Sequence, residues 1–363
     1  MKGRWNSNVF SMPRQSASVF RHIVRHCIGV YDFARTNIMA NLMIRLAMIL
    51  LFSLAAAAHA QIWKPAKNVE IIVGVSPGGG IDRTARTLQK IMQNKRYVEA
   101  AITVVNKPGG GSTIAQAYLN QHAGDAHYLY LGATSLLTNH IIGKSAQSHK
   151  DFTPIALLSD EYIGFAVKTD SLVRTGKDLI DVMKSRPESL PIGIATAAGN
   201  TNHIAAAFIA KAAGGDIKKL RVAVFGSGGE AMTAVIGGHV SLVTTPAANL
   251  NAHAQAGRLR VIAVAAPQRL IGPLAGVPTW REQGVNAVVA NWRPIIAPKG
   301  LSAAQIAFWD DVFARLTHTE EWKNEVDNGG GISHYMNSRE LATYFDIQYA
   351  EFRAILGELG LAK

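Results

Sequence analysis

The stretch IIVGVSPGGGIDRTARTLQKI, residues 71–91, decides how this chain reads. An apolar run, beginning at Val69, ends at Val75. A spacing of three to four residues then starts at Ile81 and continues through Ala85, Leu88 and Met92. The first pattern predicts a buried strand over 69–75 and the second a helix over 81–93. Between them stand Ser76, Pro77 and three glycines, Gly78, Gly79 and Gly80. A strand, a glycine turn and a helix serve three kinds of chemistry, and the residues separate them.

A catalytic elbow is the first. Gly74, Ser76 and Gly78 match G-x-S-x-G on a strand-to-helix turn. The oxyanion hole of that arrangement needs the N–H of the residue after the nucleophile. Here that residue is Pro77, which has none. Too few strands precede Ser76 for such a fold. A nucleotide cradle is the second. No glycine cluster is followed by Lys-Ser or Lys-Thr, and G-x-G-x-x-G is absent from the turn. Anion binding by backbone amides is the third. First-turn N–H groups of a helix lack partners and its dipole favours negative charge. Glycine lets the backbone approach a ligand closely. Asp82, in the first turn, suits the dipole. The competing reading is a plain βα turn.

The feature recurs. NKPGGGST (106–113) is a second Pro-Gly-Gly-Gly between strand and helix. ATAAGNTNHIA (195–205) is a third turn, carrying Thr196, Asn200, Thr201 and His203. FGSGGEAM (225–232) is a fourth, with Ser227 and Gly228. In open parallel sheets, ligands bind outside the carboxyl ends of strands, where such turns gather. Recurrence favours a binding site over a plain turn, and amide-rich turns can surround a carboxylate without any arginine.

Outward from these turns, strands are expected at ITVVN (102–106), YLYLGAT (128–134), PIGIAT, RVAVF, SLVTT and RVIAVAA, with helices between. A helix is also expected over 111–124. Alternation of this kind predicts an α/β fold on largely parallel sheets. Long amphipathic helices are expected at 302–318 and 338–360. Their aromatics, Phe308, Trp309, Phe313, Tyr344, Phe345, Tyr349 and Phe352, are expected to pack on a sheet rather than form a cofactor box.

The chain's start differs in kind. LAMILLFSLAAAA (46–58) follows Arg45 and ends in Ala58-His59-Ala60. That is a secretory signal peptide, with cleavage expected after Ala60. An uncleaved anchor helix is the competing reading, though the run is short for a span of ~20 apolar residues. Met39 or Met43 would open a conventional signal peptide. Of 363 residues, 37 are Lys or Arg and 25 Asp or Glu, a net charge of +12 that by itself suggests nucleic acid. Seven of those bases and one acid fall within residues 1–60, which leaves +6 on the mature chain. Nucleic acid therefore drops out as a partner, and an anionic small molecule is favoured. The single cysteine, Cys27, also lies in the leader. A mature chain without disulfides behind an export signal fits a bacterial periplasm. No His, Asp and Glu spacing suggests a metal, and His203 and His239 read as structural. No cofactor is expected.

In this order, PGGGIDRTAR, VVNKPGGGSTIAQAYL, DFTPIALL, GGEAMTAVIGGHVSL, AGRLRVIAV, VPTWREQGV and NWRPIIAPKGLS resemble the Bug or TctC family. These are the periplasmic solute-binding proteins of tripartite tricarboxylate transporters. GGGIDRTARTLQ together with NWR…APKGLS is closest to the tricarboxylate-binding branch. The resemblance implies a two-lobed Venus-flytrap fold of periplasmic-binding-protein type II. Lobe 1 would be 61–165 plus 286–363, with the C-terminal helices packed on it, and lobe 2 would be 166–285. It implies a monomer, without enzymatic activity, that hands a small di- or tricarboxylate such as citrate to a membrane permease. A ligand carboxylate would be held by backbone amides and water at Ser76–Asp82 and Thr196–His203. Thr134, Ser135, Ser227, Gly228 and Thr245 would face the rest of the ligand. The family commonly has an acidic residue after GGHV, where this chain has Ser241. The alternatives are a ligand sensor for a signalling partner and a secreted hydrolase using Ser76.

Overall fold

Strand β1 (Val69–Val73) lies at the centre of a parallel set, between β2 (Ile102–Asn106) and β3 (Tyr128–Leu131). Its residues are buried on both faces, as a strand covered by helices on each side must be. Ile71 and Val73 face helix α1 (Gly80–Asn94) and α8 (Ala303–Thr317), and Ile72 faces the opposite core. Helix α1 buries Ala85, Leu88, Ile91 and Met92 at the expected spacing. The computed structural model describes Met48 and residues 63–78, 80–195 and 197–363. The expected signal peptide, its cleavage site, Gly79 and Thr196 lie outside the described residues.

A second parallel set consists of β5 (Ile192–Ala195) between β6 (Val222–Phe225) and β7 (Leu242–Pro246). The two sets are joined by antiparallel strands. Strand β4 (Phe152–Lys168) is 17 residues long. Its first part pairs antiparallel with β9 (Ala290–Pro298), from Phe152 to Tyr162. From Ile163 onward it pairs with β7 and with β8 (Leu259–Val264). Strand β10 (Ile332–Met336) pairs with it too. The ten strands run β2-β1-β3-β9-β4-β7-β5-β6, with β8 and β10 off that path.

The fold is α/β, but not largely parallel as the alternation predicted. Five of the strand pairings are antiparallel and all but one of these involve β4. The alternation rule describes each half well and says nothing of the strands that cross between halves. Three further helices matter for the site. These are α2 (Thr113–Asn120), α3 (Ser135–Ile141) and α5 (Thr201–Ala212), α4 being Gly176–Ser185. Helix α6 (Gly228–Ile236) follows β6, α7 (Asn251–Gln255) follows β7, and α9 (Glu320–Asn328) and α10 (Ser338–Glu358) close the chain. Trp309, Phe313, Phe345 and Phe352 are buried against the sheets. Helix α10 shares one core with α3 and α5. Ile62–Lys363 form one compact unit.

Candidate functional site

The carboxyl end of β1 runs into the first glycine turn, and Asp82 shapes it. Its carboxylate is 2% exposed and accepts from the Gly78 N–H at 2.8 Å. It also accepts from Arg86 Nε and Nη2, both at 3.0 Å, and from Asn106 Nδ2 at 2.9 Å. Arg86 foremost, then the Gly78 amide, hold its carboxyl down to about 2. Asp82 is therefore committed to the turn rather than open to a ligand. Gly78 has a φ of +88°, a left-handed backbone that glycine adopts without strain.

The turn after β5 repeats the device with a different side chain. Gly199, φ +81°, donates its N–H to His203 Nδ1 at 3.1 Å. Asn200 caps helix α5, its Oδ1 accepting from the His203 N–H at 3.0 Å. His203 is 7% exposed, and burial pushes its imidazole down to about 4. It is neutral, with Nδ1 the acceptor. The turn after β6 repeats the device again. The Gly226 N–H reaches Glu230 Oε2 at 3.1 Å, and Ser227 caps helix α6 through the Glu230 N–H. In all three, the third helical residue reaches back and ties the backbone just before the cap, a variant of the capping box.

The second glycine turn packs against the first. Gly109, Gly110, Gly111 and Ser112 all have positive φ. A Cβ on Gly74 would lie 2.4 Å from Ser112 Cβ, so Gly74 must be glycine for the two turns to touch. Ser112 Oγ donates to the Gly74 carbonyl at 3.2 Å. This glycine run supports the site from behind and lines neither cavity described next.

Two cavities meet at Pro246, at the carboxyl end of β7. The larger, about 400 Å³, is lined by Val75, Gly80, Ile81 and Arg83 from the first turn, Glu161 of β4, Arg293 of β9, Ala248 and Asn249 beyond β7, and Asn328 and Gly329. The smaller, about 220 Å³, is lined by Ala133, Thr134, Ser135 and Thr138, by Ala195, Asn200, Thr201 and Asn202, and by Asn291. Thr134 and Thr201 share a short hydroxyl–hydroxyl bond, and Thr134 Oγ1 donates to Asn291 Oδ1 at 3.1 Å.

Of the expected residues, Gly80 lines the larger cavity, and Thr134, Ser135, Asn200 and Thr201 line the smaller. Thr245 is buried beneath Asn249, which donates to its Oγ1 at 3.1 Å. A Cβ on Gly228 would meet that same hydroxyl at 3.5 Å. Pro77, Gly78 and Asp82 line an open groove with Arg86 and Lys90 instead. Ser76 is exposed. Ser241 is also exposed, just before β7 at the end opposite Pro246, so the residue after GGHV does not face the cavities. The expectation missed Glu161, Arg293, Asn249 and Asn291. Two of them sit in NWRPIIAPKGLS, where Arg293 was the available signal. Among the described residues, no group of three or more His, Cys, Asp or Glu is placed to hold a metal ion.

Two sheet segments joined by crossing strands bring helix N-termini and strand ends together around the two cavities, an arrangement suited to holding a small solute. Comparison with known proteins agrees. A family model described as the tripartite tricarboxylate transporter family receptor, TctC, matches residues 84–361, and the chain belongs to that family. A protein in the gbd 5' region of Cupriavidus necator is 26% identical over 312 residues, which covers 85% of this chain and 93% of that one. A TctC solute-binding protein from Polaromonas, without ligand, has a TM-score of 0.69 at 24% identity, over 81% of this chain and 99% of its own. Rpa4515 of R. palustris with adipate has a TM-score of 0.70 at 20% identity, over 82% and 99%. MatC of Rhodopseudomonas palustris with bound malate has 0.64 at 20%, over 80% and 99%. At these identities the structural likenesses speak for the fold. Receptors of this family and fold bind solutes and are not enzymes. Among the described residues, no helix is long and apolar enough to cross a membrane.

Proposed function

We propose that the chain is a periplasmic receptor that captures a small di- or tricarboxylate in the cleft and delivers it, as a monomer, to a tripartite tricarboxylate-type permease. The observation that carries this reading is the meeting of two cavities at Pro246. Each is walled by turns from both sheet segments. A carboxylate placed there faces the N-terminal amides of α1 and α5, whose first-turn donors have no intrahelical partners. The adipate and malate held by two proteins of the same fold are carboxylates of the class proposed.

Lobe 1 is taken as 61–165 plus 286–363 and lobe 2 as 166–285. They would close over the ligand by bending where β4 changes partners, at Tyr162–Ile163, and where the chain returns through 285–290. A bound carboxylate favours the closed form by the contacts it makes only there. Export through the expected leader would place the protein in the periplasm.

A thermal-shift screen of the protein from Gln61 onward against organic acids, amino acids and aromatic carboxylates tests this. A ligand at ~100 times its Kd adds about 2.7 kcal/mol of stability. Stabilisation by di- or tricarboxylates is expected, and no response to any carboxylate by ligand-free protein counts against it. Gly80→Val sharpens the test. Nothing lies within 4 Å of a Cβ at Gly80, so the added side chain enters cavity space rather than protein. Loss of affinity at unchanged stability is expected. Undiminished affinity would remove this turn from the binding site.

A further inference from the structure

Among the described residues lining the larger cavity, Arg293 has donors without a partner. It stands on β9 and is 5% exposed. Its Nη2 donates to Glu161 Oε2 at 2.5 Å. Its Nε and Nη1 are buried without a partner among the described residues. Unpaired donors on a buried cation are costly, and folds satisfy them with protein, water or ligand. Both Arg293 and Glu161 line the larger cavity, as Gly80 does. The other cation lining that cavity, Arg83, is already engaged, its Nε donating to Glu325 Oε1 at 3.3 Å.

We propose that Arg293 is the specificity-determining contact for a second carboxylate of the ligand, and that Glu161 limits the ligand to two negative charges. The inference rests on the receptor reading above and narrows it. One carboxylate lies at the helix amides, which carry only partial charge. The other reaches the guanidinium, whose donors suit carboxylate oxygens. Glu161 holds the guanidinium in place through Nη2. Its own negative charge leaves the Arg293 pair neutral, as Glu325 does for Arg83. A third carboxylate would enter a cavity with no cation left to offset it. A dicarboxylate therefore fits better than citrate.

Calorimetric titration of the purified protein tests this with succinate, malate and adipate. Butyrate and hexanoate serve as their one-ended counterparts, and citrate as the three-ended acid. Arg293→Gln is expected to weaken the two-ended acids by about 30-fold or more while shifting the one-ended acids little. Arg293→Lys is expected to recover part of that loss. Glu161→Gln is expected to tighten citrate by about fivefold, because a negative charge leaves the cavity. Circular dichroism checks that each variant is folded. If Arg293→Gln does not fold, Glu161→Gln carries the test. Citrate binding that is unchanged or weaker in that variant overturns the proposal. A wild-type preference for two-ended acids that survives Arg293→Gln overturns it too, and leaves the receptor reading standing. A wild-type protein that binds none of these acids but responds to other solutes overturns both.

Discussion

The turn after β1 and the turn after β5 are built alike and fastened differently. In each, a glycine in the left-handed region gives its N–H to the side chain four residues later, Gly78 to Asp82 and Gly199 to His203. The first fastening is an ionised carboxylate with an arginine and an asparagine behind it. The second is a buried, neutral imidazole. The same backbone geometry is thus held by a charge in one half of the molecule and by the absence of one in the other. The difference teaches that the two walls of the cleft respond oppositely to chemistry that leaves the fold untouched. Salt and charge substitutions act on the first wall, and mild acid acts on the second.

Removing the charged fastening is expected to have the largest effect. Asp82→Ala takes the carboxylate acceptor from the Gly78 N–H and from Arg86, and leaves Asn106 Nδ2 only its bond to the Val75 carbonyl, and should cost about 3 kcal/mol in urea unfolding. Its carboxyl lies well below the ordinary 3.8, so the stabilisation is complete above that value and fades only as pH falls towards about 2. The imidazole fastening is expected to fail earlier. The folded value of about 4 lies below the ordinary 6.5, so the unfolded chain takes up the proton first. The contribution is complete above pH 6.5 and is lost as pH falls to about 4. The loss is on the order of 3 kcal/mol at its limit. Urea midpoints at several pH values, compared with His203→Gln, check it. A variant with the same acid slope as wild type would assign that slope elsewhere.

The two glycines provide a finer contrast. A Cβ at Gly199 would meet Ile142 Cγ2 at 3.2 Å and Leu356 Cδ2 at 3.4 Å, whereas one at Gly78 meets nothing within 4 Å. Gly199→Ala should cost about 2 kcal/mol, from left-handed strain plus crowding. Gly78→Ala should cost about 1 kcal/mol, from strain alone. Equal values would mean that Ile142 and Leu356 yield freely. The smallest effect is expected at the third turn. Glu230 fastens Gly226 in an exposed setting, and Glu230→Gln should change stability by no more than about 0.5 kcal/mol.

How far the sequence announced all this depends on the kind of signal each part carries. Helix α1 was legible because Ala85, Leu88 and Met92 repeat at helical spacing, and β2 because Ile102, Thr103, Val104 and Val105 form a β-branched run that stops before a Pro-Gly turn. Strand β4 was hidden. Pro154 and the Asp160-Glu161 pair look foreign to a buried strand. The structure accommodates Pro154 at a register shift before Ala156. It pairs Asp160 with His334 at 2.6 Å, and Glu161 with Arg293. Those partners lie more than 130 residues away, where no local pattern reaches. The site was legible as turns and illegible as roles. Asp82 and His203 are expected within the amide-rich turns, and the sequence does not say that their side chains fasten those turns through Gly78 and Gly199. Arg293 went unread because backbone amides alone account for binding one carboxylate.

Strand β4 carries one more consequence. It belongs to both sheet segments without a break, and α10 shares a core with helices from each. No exposed linker separates the halves along this strand, so limited proteolysis has no seam there at which to free them. Melting either segment would strip β4 of two of its four strand partners, β9 and β10 in one or β7 and β8 in the other. The receptor should therefore lose its structure in a single cooperative transition, although the closure proposed for it is a motion of two bodies.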